Sequence, residues 1–283
     1  MFIAGKKLKI FIQYGMKIFD LHCDALTVAQ NPLEAVTALS KKAFVNFAIY
    51  RESLSFFEAE KLAESFNALN LLNACLSFED IGYADLNEDR FFALKPFCAS
   101  LTYNGEGVFG YGVNENKPLK KRGLDFIKKL NERGVAVDTA HLSEKGSFDV
   151  YERAKFVINT HTAFMSRFKH KRNITDEQIS AIISRGGIIG LTFVTYFLGD
   201  KKVNAETVAN FISDFCDKFG DNNLAIGTDF FGTDSLPANL NDYGDFINLS
   251  GMLVRRGFSG ETIDNIFYFN AYNFYLKVIN SRI

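Results

Sequence analysis

Short apolar, β-branched or aromatic runs recur along the chain, and polar, helix-periodic stretches separate most of them. The runs are KIFDLH (17–22), VNFAIY (45–50), NACLSFE (73–79), FCASLTY (97–103), GVAVDTAH (134–141), FVINTH (156–161), GGIIGLTF (186–193) and NLAIGTDF (223–230). Their length and residue types predict eight strands. Among the intervening stretches, Val208, Phe211, Ile212, Phe215 and Phe219 repeat at helical spacing, with Asn204 placed to cap the start and Gly220 the end. Thr175-Asp-Glu-Gln has the form of a capping box ahead of Ile179, Ile182 and Ile183, while Leu124, Ile127 and Leu130 mark a third helix that stops at Gly134. The stretch DIGYADLNEDRFFALKP, between strands three and four, carries the weakest helical pattern. Residues 231–246 read as a long loop, followed by two helices up to Ile279. Eight strands alternating with helices over about 250 residues predict a (β/α)8 TIM-like barrel of the α/β class. An open doubly wound sheet is the alternative, but no glycine-rich nucleotide turn accompanies it.

Composition narrows the function classes. With 283 residues, 47% hydrophobic and 23% charged, the chain has material for a large core. A net charge of -1 with interspersed signs gives no broad field for nucleic acid or an anionic membrane. The basic runs KPLKKRG (117–123) and RFKHKRN (167–173) read as solvated faces or loops, and His170 with them. Cys23, Cys75, Cys98 and Cys216 are widely spaced without a C-x-x-C, as expected of free thiols in a reducing, cytoplasmic setting. No apolar run approaches the length of a membrane span. The stretch MFIAGKKLKIFIQYG lacks the features of a signal peptide, so residues 1–15 read as a dispensable extension and 16–283 as one barrel domain.

The chain has only four histidines. His22, His141 and His161 fall at the ends of predicted strands one, five and six, Glu79 ends strand three and Asp229 lies at the end of strand eight. In a barrel those ends converge on the face that carries chemistry. Any one of them alone could be a hydrogen-bonded strand end or a helix cap. Three imidazoles with Asp24, Glu79 and Asp229 at one mouth would be costly to bury without a cation. Mixed nitrogen and oxygen ligation suits Zn²⁺, with Mn²⁺ or Fe²⁺ as alternatives, and the ligand count fits two ions better than one. Cys23 alternates away from its neighbours and reads as packing.

The ordered set of motifs resembles the membrane (renal) dipeptidase family of zinc peptidases, a branch of the amidohydrolase-like, metal-dependent hydrolase barrels, from about Lys17 to Phe274. DLHCD is similar to the family's opening H-x-D, and SFEDIGYA to its Glu-Gly-Gly segment. DTAHLSEKGSFDV and INTHTAF are similar to its later histidine motifs. RNITDEQISAIISRGGIIGLTF is the most specific stretch, and AIGTDFFG and LVRRGFSGETIDNIFYFN complete the likeness. The resemblance implies two zinc ions, one on His22 and Asp24 and the other on His141 and His161, bridged by Glu79. It implies a bridging hydroxide as nucleophile, and Asp229 as the group that takes its proton and returns it to the leaving amine. Arg172 would grip the C-terminal carboxylate of a dipeptide, and the protein would form a homodimer. Three positions depart from the family pattern. Tyr103 stands where a histidine contacts the substrate carbonyl; a phenol can donate to an oxyanion and so serve in catalysis and substrate binding. Phe231 replaces an aspartate, and Asp80 a glycine. The rival readings are a barrel hydrolase for another amide, lactam or ester, and a catalytically degenerate metal-binding barrel.

Overall fold

The computed structural model describes residues 16–50, 54–200 and 202–282; the N-terminal extension lies outside the described residues. Eight parallel strands close a barrel in sequence order: β1 (Phe19–Cys23), β2 (Phe44–Tyr50), β3 (Ala74–Glu79), β4 (Cys98–Ser100), β5 (Ala136–Asp138), β6 (Val157–Thr162), β7 (Ile188–Leu191) and β8 (Leu224–Ile226). The strands are buried on both sides because a parallel barrel covers both faces, one against its own interior and one against the surrounding helices. The longest register runs from Val45 opposite Ala74 to Tyr50 opposite Glu79, and β1 closes on β8 at Asp20 and Ile226.

The helices follow the sequence pattern closely where capping chemistry is local. The helix Ala205–Phe219 starts on an Asn204 capping box and ends at Gly220, whose φ of +79° is readily reached by glycine. The Thr175 box with Gln178 opens Asp176–Ser184. The third predicted helix begins earlier than its apolar stripe, at Lys121–Glu132. The weakly patterned stretch forms a 3₁₀ turn, Ile81–Leu86, and a short helix, Glu88–Ala93.

Phe19, Phe44, Phe97 and Phe156, at or next to the starts of their strands, pack with Ala271, Phe274 and Val278 of the helix Asn270–Ile279. This apolar plug fills one end of the barrel and leaves polar chemistry to the other. Strands four, five and eight end three or four residues short of the sequence expectation. At β5, Asp138 Oδ1 accepts the Ala140 N–H at 3.0 Å, drawing the chain out of the ladder before His141. After β8, Thr228 N–H donates to Asp20 Oδ1 at 2.8 Å, and Asp229 takes a left-handed φ of +61°. No helix among the described residues is long and apolar enough to cross a membrane. Cys23, Cys75 and Cys98 are buried, and all four cysteines are unpaired.

Candidate metal centre

The C-terminal ends of the strands bring the singled-out residues to one place. His22 lies in β1, with Asp24 just beyond it; Glu79 ends β3 and His161 sits in β6. His141, Arg172 and Asp229 come from the segments after β5, β6 and β8. His22 Nε2 is 3.4 Å from Asp24 Oδ2, 3.7 Å from Glu79 Oε1 and 3.8 Å from Asp229 Oδ1. The same Glu79 oxygen is 3.3 Å from His141 Nε2 and 3.8 Å from His161 Nε2. Ligand atoms of His22, Glu79 and His161 lie within 4.8 Å of one another, as do those of His22, Asp24 and Asp229.

These groups fit a divalent cation. Neither His22 nitrogen, nor Asp24 Oδ1, nor Glu79 Oε1 has a hydrogen-bond partner among the described residues, although all are buried. Arg172 Nη2 lies 3.1 Å from His141 Nε2 and 2.9 Å from His161 Nε2. A guanidinium only donates, so both imidazoles present lone pairs there, and those nitrogens are only 2.9 Å apart. Two converging lone pairs beside a carboxylate call for positive charge, and nitrogen and oxygen donors suit zinc, manganese or iron(II).

The electrostatics divide the site. Burial pulls the His22 imidazolium down, but Asp24 and Glu79, with Asp229, outweigh it and carry its pKa well above the ordinary value. Burial, with Arg172 and His22, pushes His141 well below, and burial with the neighbouring cations does the same to His161. Burial raises Glu79, against the pull of His22 and Arg172. Asp229 is raised to about 8 by burial, opposed by His22 and reinforced by Asp24 and Glu79.

A cavity of about 420 Å³ opens over the cluster and includes Asp24, Glu79, His141, His161, Arg172 and Asp229 in its lining. Tyr103 stacks on His141 at 4.2 Å between ring centres. Burial, with Glu79 nearby, pushes its phenol up to about 12, so it stays a proton donor. The outer rim is apolar: Val28, Tyr196 and Phe231 remain 56%, 51% and 43% exposed. The basic loop is not simply solvated. Arg172 is buried, and His170 is half-buried at the cavity wall, stacked on Phe197 at 4.7 Å. Asp80 adopts φ +52°, which explains a glycine preference at that position and why Asp, one of the residues that tolerates it, can stand there. Sequence reading missed Asn104, whose Oδ1 accepts from His141 Nδ1 at 3.0 Å, and Gly232. A Cβ on Gly232 would lie 2.1 Å from Asp229 Oδ1 and 2.2 Å from Asp24 Oδ2, so glycine lets the loop pass over both carboxylates. Asn104 directly follows FCASLTY and Gly232 ends AIGTDFFG, but neither bears a ligand type that would single it out.

Residues 92–280 match the model of the membrane dipeptidase family, peptidase family M19. A protein encoded in the pqqA 5′ region of Klebsiella pneumoniae is 29% identical over 194 residues, 64% of this chain and 71% of that protein. The dipeptidase verJ of Clonostachys rogersoniana is 27% identical over 187 residues, 64% of this chain but 47% of that protein, so the match spans about half of that relative's length. A Rhodobacter sphaeroides metallopeptidase, solved with a phosphinate mimic of the dipeptide L-Ala-D-Ala, superposes with a TM-score of 0.80 at 18% identity, covering 93% of this chain and 99% of that one. That likeness carries the fold, and the family match covers two of the barrel's site histidines together with Arg172 and Asp229. The chain belongs to the membrane dipeptidase family, peptidase family M19.

Proposed function

We propose that the protein is a metal-dependent dipeptidase using two ions, zinc for preference, with residues 16–283 as its catalytic unit. The observation that carries this reading is Glu79 Oε1, buried without a hydrogen-bond partner among the described residues and 3.3 to 3.8 Å from three imidazole nitrogens. His22 and Asp24 would hold one ion, His141 and His161 the other, and Glu79 both. Ions held there would supply an acidified water near neutral pH and a Lewis acid for the scissile carbonyl.

The chain's own residues supply the rest. Arg172 Nη1 is buried without a hydrogen-bond partner among the described residues, a donor for the substrate's C-terminal carboxylate. An ion on His141 and His161 would compete with Nη2 for the same lone pairs, which would release that donor as well. Asp229, beside His22 and under the cavity, takes a proton from the attacking water and returns it to the leaving amine. The Tyr103 hydroxyl donates to the carbonyl oxygen as negative charge develops. The volume of the cavity suits a dipeptide, and its apolar rim suits apolar side chains. Unpaired thiols suit a reducing cytoplasm, and a homodimer follows from the family resemblance alone.

A panel of dipeptides, including some with a D-residue at the C-terminus, assayed beside N-acyl amino acids and lactams, tests the substrate class. Free dipeptides should turn over and their C-terminal amides should not. Arg172→Met should cost about 2–5 kcal/mol in kcat/KM, as expected for a buried charge losing its partner. Preference for lactams or N-acyl amino acids would replace the dipeptidase reading with another hydrolase of the same barrel.

A further inference from the structure

Two buried aspartates repeat one arrangement at different strands. Asp20 Oδ1 accepts the N–H groups of His22 and Thr228 at 3.2 and 2.8 Å, and its Oδ2 accepts the hydroxyls of Thr228 and Tyr243 at 2.5 and 2.7 Å. Asp138 Oδ1 accepts the N–H groups of Ala140 and Thr160, both at 3.0 Å, and its Oδ2 accepts the Thr160 hydroxyl at 2.6 Å. The first ties β1 to the segment after β8, and the second ties β5 to β6. The first reaches the site only through the His22 backbone, whereas the second continues to a site side chain, because Thr160 Oγ1 lies 3.0 Å from His161 Nδ1.

Proton counting fixes the direction of this chain of contacts. A threonine hydroxyl has one proton to give, and the Asp138 carboxylate accepts it. Oγ1 therefore faces His161 with lone pairs, and Nδ1 must carry the proton between them. The opposite edge of the ring gives the same answer independently. Arg172 Nη2 can only donate, and it lies 2.9 Å from His161 Nε2, so Nε2 is the bare nitrogen.

We propose that Asp138 and Thr160 are positioning residues that act through His161. Their relay holds the imidazole as the Nδ1–H tautomer and aims the Nε2 lone pair at Glu79 and His141; it rests on the metal-centre reading above. Outer hydrogen bonds of this kind set the orientation and basicity of metal-binding histidines. Asn104 serves His141 in the same way with an amide oxygen, whereas His22 Nδ1 has no hydrogen-bond partner among the described residues. The Thr160 backbone is fixed separately: a Cβ on Gly190 or Gly227 would lie 2.0 or 1.7 Å from its carbonyl oxygen, so the three strands pack tightly there. Thr160→Val keeps the side-chain shape and removes only the hydroxyl.

With four histidines in the chain, selective ¹⁵N-histidine labelling resolves the ring tautomers directly. In the metal-free wild type, His161 is expected as the Nδ1–H form; an Nε2–H form would overturn the relay without recourse to any variant. Thr160→Val is expected to weaken that preference, which Arg172 alone then supports, and to bind zinc about 10- to 100-fold more weakly in competition with a chelator. Thr160→Ser should restore both. A valine variant with unchanged tautomer and affinity, or a serine variant as weak as the valine one, contradicts the proposal. Wild-type protein that takes up no zinc would refute the metal-centre reading, and the tautomer measurement then decides the relay alone.

Discussion

His22 and Asp229 hold protons in the metal-free fold at pH values where the unfolded chain has released them. Both folded pKa values are raised, Asp229 to about 8. Above pH 7.5 the unfolded chain has lost both protons, so stability falls as pH rises through the folded values. His141 and His161 are shifted down instead, and are neutral in both states over that range. The unfolding free energy of metal-free protein, measured in urea, should therefore drop between pH 7.5 and pH 9 by on the order of 1 kcal/mol. The loaded protein should show no such drop, since cations replace the protons; a flat profile without metal would mean that His22 and Asp229 do not keep their protons over that range. Tyr103 makes a separate prediction. Its phenol is neutral, so Tyr103→Phe should lower kcat about a hundredfold with little change in KM. An unchanged kcat would remove the oxyanion role.

Among the elements, the strands were legible because a parallel barrel leaves each as a near-continuous apolar run. His22, Glu79 and His161 lie within strands, so their convergence could be read from the order of elements. The ends of β5 and β8 were not legible. Asp20 bonds to backbone 208 residues away, and Asp138, besides its local bond to Ala140, to backbone 22 residues away; such distant contacts leave no local pattern. The same blindness hid Asn104 and the Thr160 hydroxyl, and it made His170 look solvated. Helix boundaries fared better where the capping partner lies three residues away, as at Asn204 and Thr175. The loop after β8 carries its own test. Gly232→Ala would press a methyl group onto Asp24 and Asp229, so metal affinity should fall by on the order of tenfold. Affinity equal to wild type would show that the loop does not gather those carboxylates.

Across the whole molecule, barrel closure makes the site. The family match covers residues 92–280, whereas His22, Asp24 and Glu79 come earlier in the chain. Pairing of β1 with β8 and of β3 with β4 brings those three against His141, His161 and Asp229. The apolar plug beneath and the aromatic rim above leave one buried band of titratable groups between them. The direct test of a two-ion dipeptidase is metal content per chain, measured on wild type and on Glu79→Gln alongside dipeptide turnover. The wild type should hold two zinc equivalents, and the variant should lose both metal and activity. A wild type without metal after reconstitution, or a Glu79→Gln protein that is metal-replete and fully active, would contradict the assignment.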